Sequence, residues 1–333
     1  MITTLRRRTV AVAAAAALTF GLVACSDDSN GGTEAAANGE TTTVQIEDNF
    51  GTQTVTVPAE NVVATDNRVF RTLEDWGIEL AAAPVNLMPP NLDYKTNDSI
   101  VNLGTHREPD LEAVVAVEPD LIINGQRFAQ YGEDFAKLAP EAAIVDLTPR
   151  EDKPFDEELR RQTTALGEMF GKQDEADKLI EDFDKSIERA KAAYDKQDKV
   201  MGVITSGGNI NYAAPGSGRS LGPIFQILGL TPALEVDNAS TDHEGDDISV
   251  EAIADSNPDL MIVMDRDAAT SANSGEEYTP ANQLIADSAA LQNVTAVKDD
   301  RIVYMPQFTY VDEGIQTYTE FFGLFADALE KKA

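Results

Sequence analysis

Two arginines occupy matching positions in a stretch of sequence that occurs twice. Residues 112–127 and residues 251–266 align at a constant offset of 139 positions, and Arg127 and Arg266 close the two copies. Each copy predicts a short helix, a Pro-Asp pair that a helix does not cross, and a buried strand. A guanidinium group keeps its positive charge and donates forked hydrogen bonds, so the chemistry that these residues offer is the binding of anions.

The repeat also predicts two lobes that are built alike. Ligands of open parallel sheets bind beyond the carboxyl ends of the strands, and each predicted strand here ends with an arginine. Arg127 and Arg266 would therefore face each other across a cleft. The same residues fit a second interpretation, in which Pro-Asp marks an ordinary helix-to-strand junction and each arginine makes a surface ion pair.

The elements between and around the repeats predict the fold class. A chain of 333 residues is long enough for two domains, each with its own core. Residues 153–197 are highly charged and carry apolar residues at helical spacing, which predicts a connecting helix. We assign residues 44–152 to an N-terminal α/β lobe and residues 198–333 to a C-terminal α/β lobe. The predicted fold is α/β, with two Rossmann-like lobes joined by one long helix and a ligand cleft between them.

The N-terminal residues predict export. Three arginines at positions 6 to 8 precede an apolar run that ends at residue 24 and is shorter than the roughly 20 residues needed to span a bilayer, so residues 1–24 are predicted to be a signal peptide. Cys25 is the only cysteine, and the residues before it resemble the lipobox of bacterial lipoproteins. That resemblance implies cleavage before Cys25 and lipid on its sulfur. An ordinary signal peptide with a chance cysteine is the alternative, and the arginines leave open whether export uses the general or the twin-arginine route.

Residues 25–43, which follow the signal peptide, are predicted to be the lipidated cysteine and a disordered tether, because they are almost free of bulky apolar side chains.

Composition and motifs argue against several classes of function. The chain has 26 basic and 58 acidic residues, a net charge of −32, which argues against binding to nucleic acid. Its two histidines, His106 and His243, do not have the spacing of a zinc hydrolase. We therefore predict a protein that is not an enzyme and has no intrinsic cofactor.

From about residue 44 to the C-terminus, the sequence resembles a known family, the substrate-binding lipoproteins of ABC importers, specifically those for catecholate ferric siderophores. The features that carry the resemblance are the repeat, Gly-Gln-Arg at 125–127, Ser-Gly-Arg at 217–219, a loop with a histidine, Asp-Arg at 265–266 and Phe-Thr-Tyr at 308–310. The resemblance implies a monomer outside the cytoplasm, anchored to the membrane through Cys25. Such a protein captures a ferric siderophore as its transported ligand and delivers it to an ABC permease.

The resemblance also implies roles for individual residues. Arg127, Arg219 and Arg266 match the three arginines that hold the anionic ligand in that family. His243 and Tyr310 match the side chains that complete the coordination of iron when the siderophore leaves two sites open. Phenolate oxygen suits Fe(III) as a hard donor, and imidazole is a common iron ligand.

Two further pairs of acidic residues are notable. Glu112 and Glu251 open the two repeat helices and match the glutamates that dock onto the permease in the family; the alternative is that they are ordinary exposed helix residues. Asp312 and Glu313 follow Tyr310 where the family usually has small residues. Carboxylates there would weaken an anionic ligand unless they pair with arginine or lysine.

Two other functions remain open at this stage. The same fold also carries heme and cobalamin, and heme would favour an apolar slot over three arginines. A surface-anchored hydrolase that processes siderophores is the second alternative.

Overall fold

A computed structural model describes residues 41–331, except 105–106, 238 and 275–276, and it does not define the side chains of 273–274. The predicted signal peptide, Cys25 and most of the predicted tether lie outside the described residues. Among the residues that are described, no helix is both long enough and apolar enough to cross a membrane.

The N-terminal lobe begins with an antiparallel hairpin of β1 (Thr42–Asp48) and β2 (Gly51–Val57), as the alternating sequence predicts. A parallel sheet with strand order β5-β4-β3-β6-β7 follows. Its strands are β3 (Val62–Ala64), β4 (Ala82–Ala83), β5 (Val101–Asn102), β6 (Leu121–Asn124) and β7 (Ala143–Asp146). Its helices are α1 (Phe70–Asp75), α2 (Leu111–Ala116) and α3 (Gly132–Leu138), with 3-10 turns at Val85–Leu87, Asp93–Thr96 and Gln126–Tyr131.

Both faces of this sheet are covered by apolar side chains, since successive residues of a strand point to opposite faces. Ile123 on β6 packs into one core together with Phe70 of α1. Ile122, the preceding residue of the strand, packs into the other core with Val114 of α2 and Phe135 of α3. The apolar run from Leu121 to Ile123 in β6 thus follows from burial on both sides.

The connection between the lobes consists of two helices, which corrects the expectation of one long helix. They are α4 (Phe155–Phe170) and α5 (Gln173–Ala193). Gly171 separates them because it adopts a left-handed conformation with φ 62°, which ends α4. Leu166 in α4 belongs to the core of the N-terminal lobe, whereas Phe183 in α5 belongs to the core of the C-terminal lobe. The helix pair is therefore anchored in both lobes.

The C-terminal lobe has a second parallel sheet, with strand order β10-β8-β11-β12 and β9 antiparallel to β8. Its strands are β8 (Lys199–Ser206), β9 (Asn209–Tyr212), β10 (Thr231–Pro232), β11 (Leu260–Asp265) and β12 (Ile302–Tyr304). Its helices are α6 (Gly222–Leu228), α7 (Val250–Ser256), α8 (Arg266–Ala269), α9 (Ser271–Ser274), α10 (Ala281–Asp287), α11 (Thr295–Lys298) and α12 (Ile315–Glu330), with a 3-10 turn at Leu291–Asn293.

The sequence repeat corresponds to a repeated unit, α2 with β6 and α7 with β11, as predicted. In each copy the aspartate of the Pro-Asp pair fixes the start of the neighbouring strand through backbone N–H groups. Asp120 accepts from Glu60 at 2.7 Å and from Asn61 at 3.1 Å, just before β3. Asp259 accepts from Lys199, the first residue of β8, at 2.9 Å. The aspartate thus has a structural role at the junction in both lobes.

The lobes also touch directly, where α1 meets the segment before and at the start of α12. We call this contact the interlobe joint. Asn67 donates to the carbonyl of Val311 at 3.0 Å, and Thr72 donates to the side chain of Gln316 at 3.0 Å. The joint includes the chain that follows Tyr310, so it bears on the position of that side chain.

Candidate ligand-binding cleft

A cleft of about 500 Å³ lies between the two lobes. It is bounded by residues that follow the carboxyl ends of β3, β4 and β6 in one lobe and of β11 and β12 in the other, which is where ligands of parallel sheets bind. All five residues predicted to contact the ligand line it: Arg127, Arg219, His243, Arg266 and Tyr310. The cleft therefore brings together side chains that are up to 183 positions apart in the sequence.

Tyr310 is the centre of this arrangement. The residue is 4% exposed, the Arg219 guanidinium carbon lies 4.5 Å from the ring centroid, and that of Arg266 lies 4.9 Å from it. Arg127 reaches from the opposite lobe, and its Nη2 atom lies 3.5 Å from the Tyr310 hydroxyl oxygen. The electron-rich face of an aromatic ring attracts cations, which accounts for the positions of Arg219 and Arg266, whereas Arg127 donates to the hydroxyl oxygen.

A tight backbone turn positions Arg127 at the end of β6. A side chain at Gly125 would place its Cβ 2.6 Å from the carboxylate of buried Asp66, so only glycine fits there. The next residue, Gln126, has φ 52°, an uncommon conformation for a residue other than glycine. This strain sits at the cleft and turns the chain so that Arg127 lines it.

Arg219 forms an ion pair with the buried carboxylate of Glu313. Its Nη2 atom donates to Oε2 of Glu313 at 3.1 Å, and Glu313 is 3% exposed. Burial alone would lower the pKa of the Arg219 guanidinium, but Glu313 and Tyr310 beside it hold that pKa above its usual value. Arg219 is therefore a fully charged, positioned cation in the cleft.

Arg266 begins α8, directly after β11. Its Nη1 atom donates to the Ser206 hydroxyl at 3.2 Å and lies 3.4 Å from Asp267. Its Nη2 atom lies 3.6 Å from Glu244, on the loop that carries His243. Two carboxylates thus share the charge of this arginine.

His243 and Tyr310 lie at the same end of the cleft, as the resemblance implies. Their ring centroids are 6.5 Å apart, and the His243 side chain is 49% exposed. Nδ1 is 3.6 Å from Asp242 and Nε2 is 3.9 Å from Glu244. The imidazole thus lies beside Tyr310 in the cleft, and its coordination of iron stays a prediction.

Sequence reasoning missed a fourth cation in the cleft. Lys95 lies in the 3-10 turn Asp93–Thr96, and its Nζ atom donates to the carbonyl of Asn86 at 2.8 Å. Burial lowers the pKa of Lys95 from its usual value. The loop after Pro89-Pro90 signals an irregular segment at the sheet edge, but the sequence does not indicate that this lysine turns inwards.

Glu112 and Glu251 take equivalent positions on the two repeat helices. Both are exposed, and each lies in the first turn, behind an N-cap whose side chain accepts from the helix backbone: Asp110 for α2 and Ser249 for α7. Their proposed contact with a permease remains a prediction.

The fold and the cleft define a two-lobed binding protein. Residues 62–308 match the periplasmic binding protein family, and the chain belongs to that family.

Similar proteins include two that are named for their ligands. The petrobactin-binding protein YclQ of Bacillus subtilis (strain 168) is 28% identical over 92% of this chain and 94% of its own length. The ferric-anguibactin-binding protein FatB of Vibrio anguillarum is 27% identical over 79% of this chain and 80% of its own.

Crystal structures with the same fold include that of YclQ, with a TM-score of 0.73 and 25% identity, covering 87% of this chain and 99% of the other. The catecholate-siderophore binding protein VctP of Vibrio cholerae has a TM-score of 0.73 and 24% identity, covering 87% of this chain and 100% of the other. The latter likeness supports the fold.

Proposed function

We propose that this chain is the extracytoplasmic binding protein of an ABC importer and captures a ferric siderophore of the catecholate type. The observation that carries the proposal is the convergence of three arginines on Tyr310 at the strand ends of both lobes. The ligands in the names of its relatives, petrobactin and ferric anguibactin, support a ferric siderophore as the ligand.

The chemistry of the cleft fits such a ligand. A ferric catecholate complex is anionic and aromatic, and guanidinium groups both pair with its oxygens and stack on its rings. A siderophore that leaves two iron sites open would take the phenolate of Tyr310 and the imidazole of His243 as its remaining donors. The arginines act locally, because the chain as a whole is strongly negative.

The remaining parts of the proposal concern the cell. Lipid on Cys25 would hold the protein at the outer face of the membrane, and Glu112 and Glu251 would dock onto the permease. The protein acts as a monomer and catalyses no reaction.

Replacing both Glu112 and Glu251 with alanine should leave ligand affinity unchanged and stop uptake, so unchanged uptake would contradict the docking role.

A fluorescence titration tests the ligand class. The protein is titrated with Fe(III) complexes of bis-catecholate, tris-catecholate, hydroxamate and citrate ligands and with heme and cobalamin, and quenching of Trp76 and the tyrosines is followed. We expect a ferric catecholate to bind most tightly. With a bis-catecholate, an absorbance shift that disappears in Tyr310→Phe would establish direct coordination of iron.

The alternatives predict different results. Binding of heme or cobalamin with no response to ferric complexes would retain the fold and overturn the ligand. The four cations that line the cleft, Lys95, Arg127, Arg219 and Arg266, favour an anionic chelate over an apolar macrocycle. Cleavage products after incubation with a ferric siderophore would instead identify a hydrolase.

A further inference from the structure

Glu313 is a buried carboxylate that contacts both lobes. Within its own lobe it accepts from Arg219 at 3.1 Å and from the Ser220 hydroxyl at 2.5 Å. From the other lobe, Gln126 donates to it at 2.8 Å, and the Arg68 guanidinium lies 3.6 Å away. Four side chains from two lobes therefore converge on a carboxylate that is 3% exposed.

Glu313 lies behind the ligand cleft. Glu313 lines a second cavity of about 530 Å³ but does not line the cleft. Arg219 and Gln126 line both cavities, so they form the wall between the cleft and Glu313. Glu313 therefore acts on a ligand in the cleft across that wall, through its charge and not through contact.

The three cleft arginines are not equally neutralised. In the described part of the chain Arg127 makes no ion pair with a carboxylate, while Arg266 is shared by Asp267 and the half-exposed Glu244. Glu313 is the buried partner of Arg219 and also faces Arg68. In a site of low dielectric, a buried charge at this distance changes the potential that a ligand experiences much more than a surface charge does.

The carboxylate is ionised at neutral pH. Burial by itself would raise the pKa of Glu313, but Arg219 and Arg68, with the hydrogen bond from Ser220, outweigh burial and lower that pKa below its usual value.

We propose that Glu313 sets the ligand charge that the cleft accepts: by pairing with Arg219 it reduces the positive potential of the cleft, so that the site discriminates less strongly in favour of the most negative complexes. This inference rests on the proposed function, because it assumes an anionic ferric ligand. It assigns Glu313 as a specificity-determining residue that does not touch the ligand.

The test compares two ferric complexes built from the same catechol, one bis-catecholate and one tris-catecholate. The third doubly ionised catechol adds two negative charges. Glu313→Gln keeps the size of the side chain and removes its charge, so the affinity ratio of tris-catecholate to bis-catecholate should rise about tenfold relative to wild type. Glu313→Asp keeps the charge, and we expect its ratio to stay near that of wild type even if both affinities fall.

Two controls separate charge selection from other effects. Glu320→Gln removes the same charge from α12, at a side chain that is 51% exposed, and should leave the ratio unchanged. Compared with Arg219→Gln, the double variant Arg219→Gln, Glu313→Gln removes the same Glu313 charge, and its ratio should again rise because the field of a charge acts without a partner. The double variant also contains no buried Glu313–Arg219 charge to leave unpaired, so it provides a second measurement if Glu313→Gln folds poorly.

The outcomes are distinct. Equal losses of affinity for both complexes in Glu313→Gln and Glu313→Asp would show a purely structural role and overturn the inference while leaving the proposed function intact. A ratio that changes equally in Glu320→Gln would also overturn it, because the effect would then belong to the general field. If wild type binds neither complex, the proposed function fails and the inference fails with it.

Discussion

Arg127 and Arg219 both line the cleft, but their surroundings differ in a way that separates binding from stability. Arg219 pairs with buried Glu313, whereas Arg127 makes no ion pair with a carboxylate in the described residues and reaches only the Tyr310 hydroxyl. Removing Arg219 leaves a buried carboxylate without its main partner, which is costly. Removing Arg127 leaves no such group behind.

We therefore predict different effects for Arg127→Gln and Arg219→Gln. Each should weaken ligand binding by about tenfold to a hundredfold, because each loses a charged hydrogen-bond donor. Arg219→Gln should also lower the free energy of unfolding by about 3 kcal/mol, whereas Arg127→Gln should change it by less than about 1 kcal/mol. Urea unfolding without ligand, followed by Trp76 fluorescence, measures the difference. Equal stabilities of the two variants would show that Glu313 does not depend on Arg219.

The sequence allowed part of this site to be predicted. The two copies of the repeat align at a constant offset, including Pro-Asp and the strand that follows it, and this alignment predicted Arg127 and Arg266 on facing lobes. The family resemblance added Arg219. The sequence also showed that Glu313 stands where the family usually has a small residue, but its partner could be identified only from the structure. The pairing of Glu313 with Arg219 spans 94 positions and depends on the packing of two loops, which no local pattern encodes.

At the scale of elements, the interlobe joint depends on one glycine. Gly314 is the N-cap of α12, and a Cβ at this position would lie 2.5 Å from the backbone carbonyl oxygen of Arg68, which precedes α1. Its φ of −79° is ordinary, so glycine is needed here for space rather than for conformation.

Gly314→Ala should accordingly force the lobes apart at the joint. We expect the free energy of unfolding to fall by about 2 kcal/mol, as in other cases of overpacking, and ligand affinity to fall because Tyr310 lies on the displaced segment. Gly323→Ala is the matched control within α12. A Cβ there meets nothing within 4 Å, so alanine should stabilise the helix by about 0.5–1 kcal/mol. A loss of stability in Gly323→Ala as large as in Gly314→Ala would contradict the role of the joint.

The first turn of α4 is anchored by a second buried carboxylate. Glu158 accepts from Arg150 at 2.5 Å and from Arg161 at 2.7 Å. Burial would raise the pKa of Glu158, but the hydrogen bonds from Arg150 and Arg161 outweigh it and lower the pKa from 4.5 to about 2. Its contribution to stability is therefore present above about pH 4.5 and is lost as the pH falls towards 2.

Glu158→Gln tests this linkage. The variant should be less stable than wild type by roughly 3 kcal/mol near neutral pH, and the difference should shrink as the pH is lowered from about 5 to about 3. Urea unfolding of both proteins at each pH gives the difference in their free energies of unfolding. The contributions of all other titrating groups largely cancel in this difference. Glu157→Gln, an exposed neighbour in the same turn, should differ from wild type by less than about 0.5 kcal/mol at every pH. A difference between Glu158→Gln and wild type that does not depend on pH would contradict the lowered pKa.

The elements themselves were largely predictable from sequence, and the exception is instructive. Apolar spacing identified the helical connection between the lobes, but it continued across Gly171 and suggested one helix. Periodicity reports which residues face a core, and both α4 and α5 face cores on either side of the break. The left-handed turn at Gly171 lies on the surface between them, where periodicity carries no information.

At the scale of the whole molecule, the cleft and the surface have opposite charges. The chain carries a net charge of −32, whereas the cleft is lined by three arginines and a lysine. An approaching anionic complex first meets the negative field of the whole protein, and it feels the cleft cations only within about a Debye length, roughly 10 Å at 0.1 M salt. The long-range field of the protein therefore slows association of the anionic complex, whereas the contacts with the cleft cations slow its dissociation.

This opposition predicts an unusual salt dependence. Raising potassium chloride from about 10 mM to about 200 mM should increase the association rate of a ferric catecholate several-fold, because salt screens the repulsive surface. The dissociation rate should also rise, because salt weakens the contacts with Arg127, Arg219 and Arg266. Stopped-flow fluorescence quenching measures both rates. Potassium sulfate at equal ionic strength is the control, since competition of free anions for the arginines would depend on the anion, whereas screening would not. An association rate that falls with salt would mean that the cleft cations already dominate at the distance of first encounter.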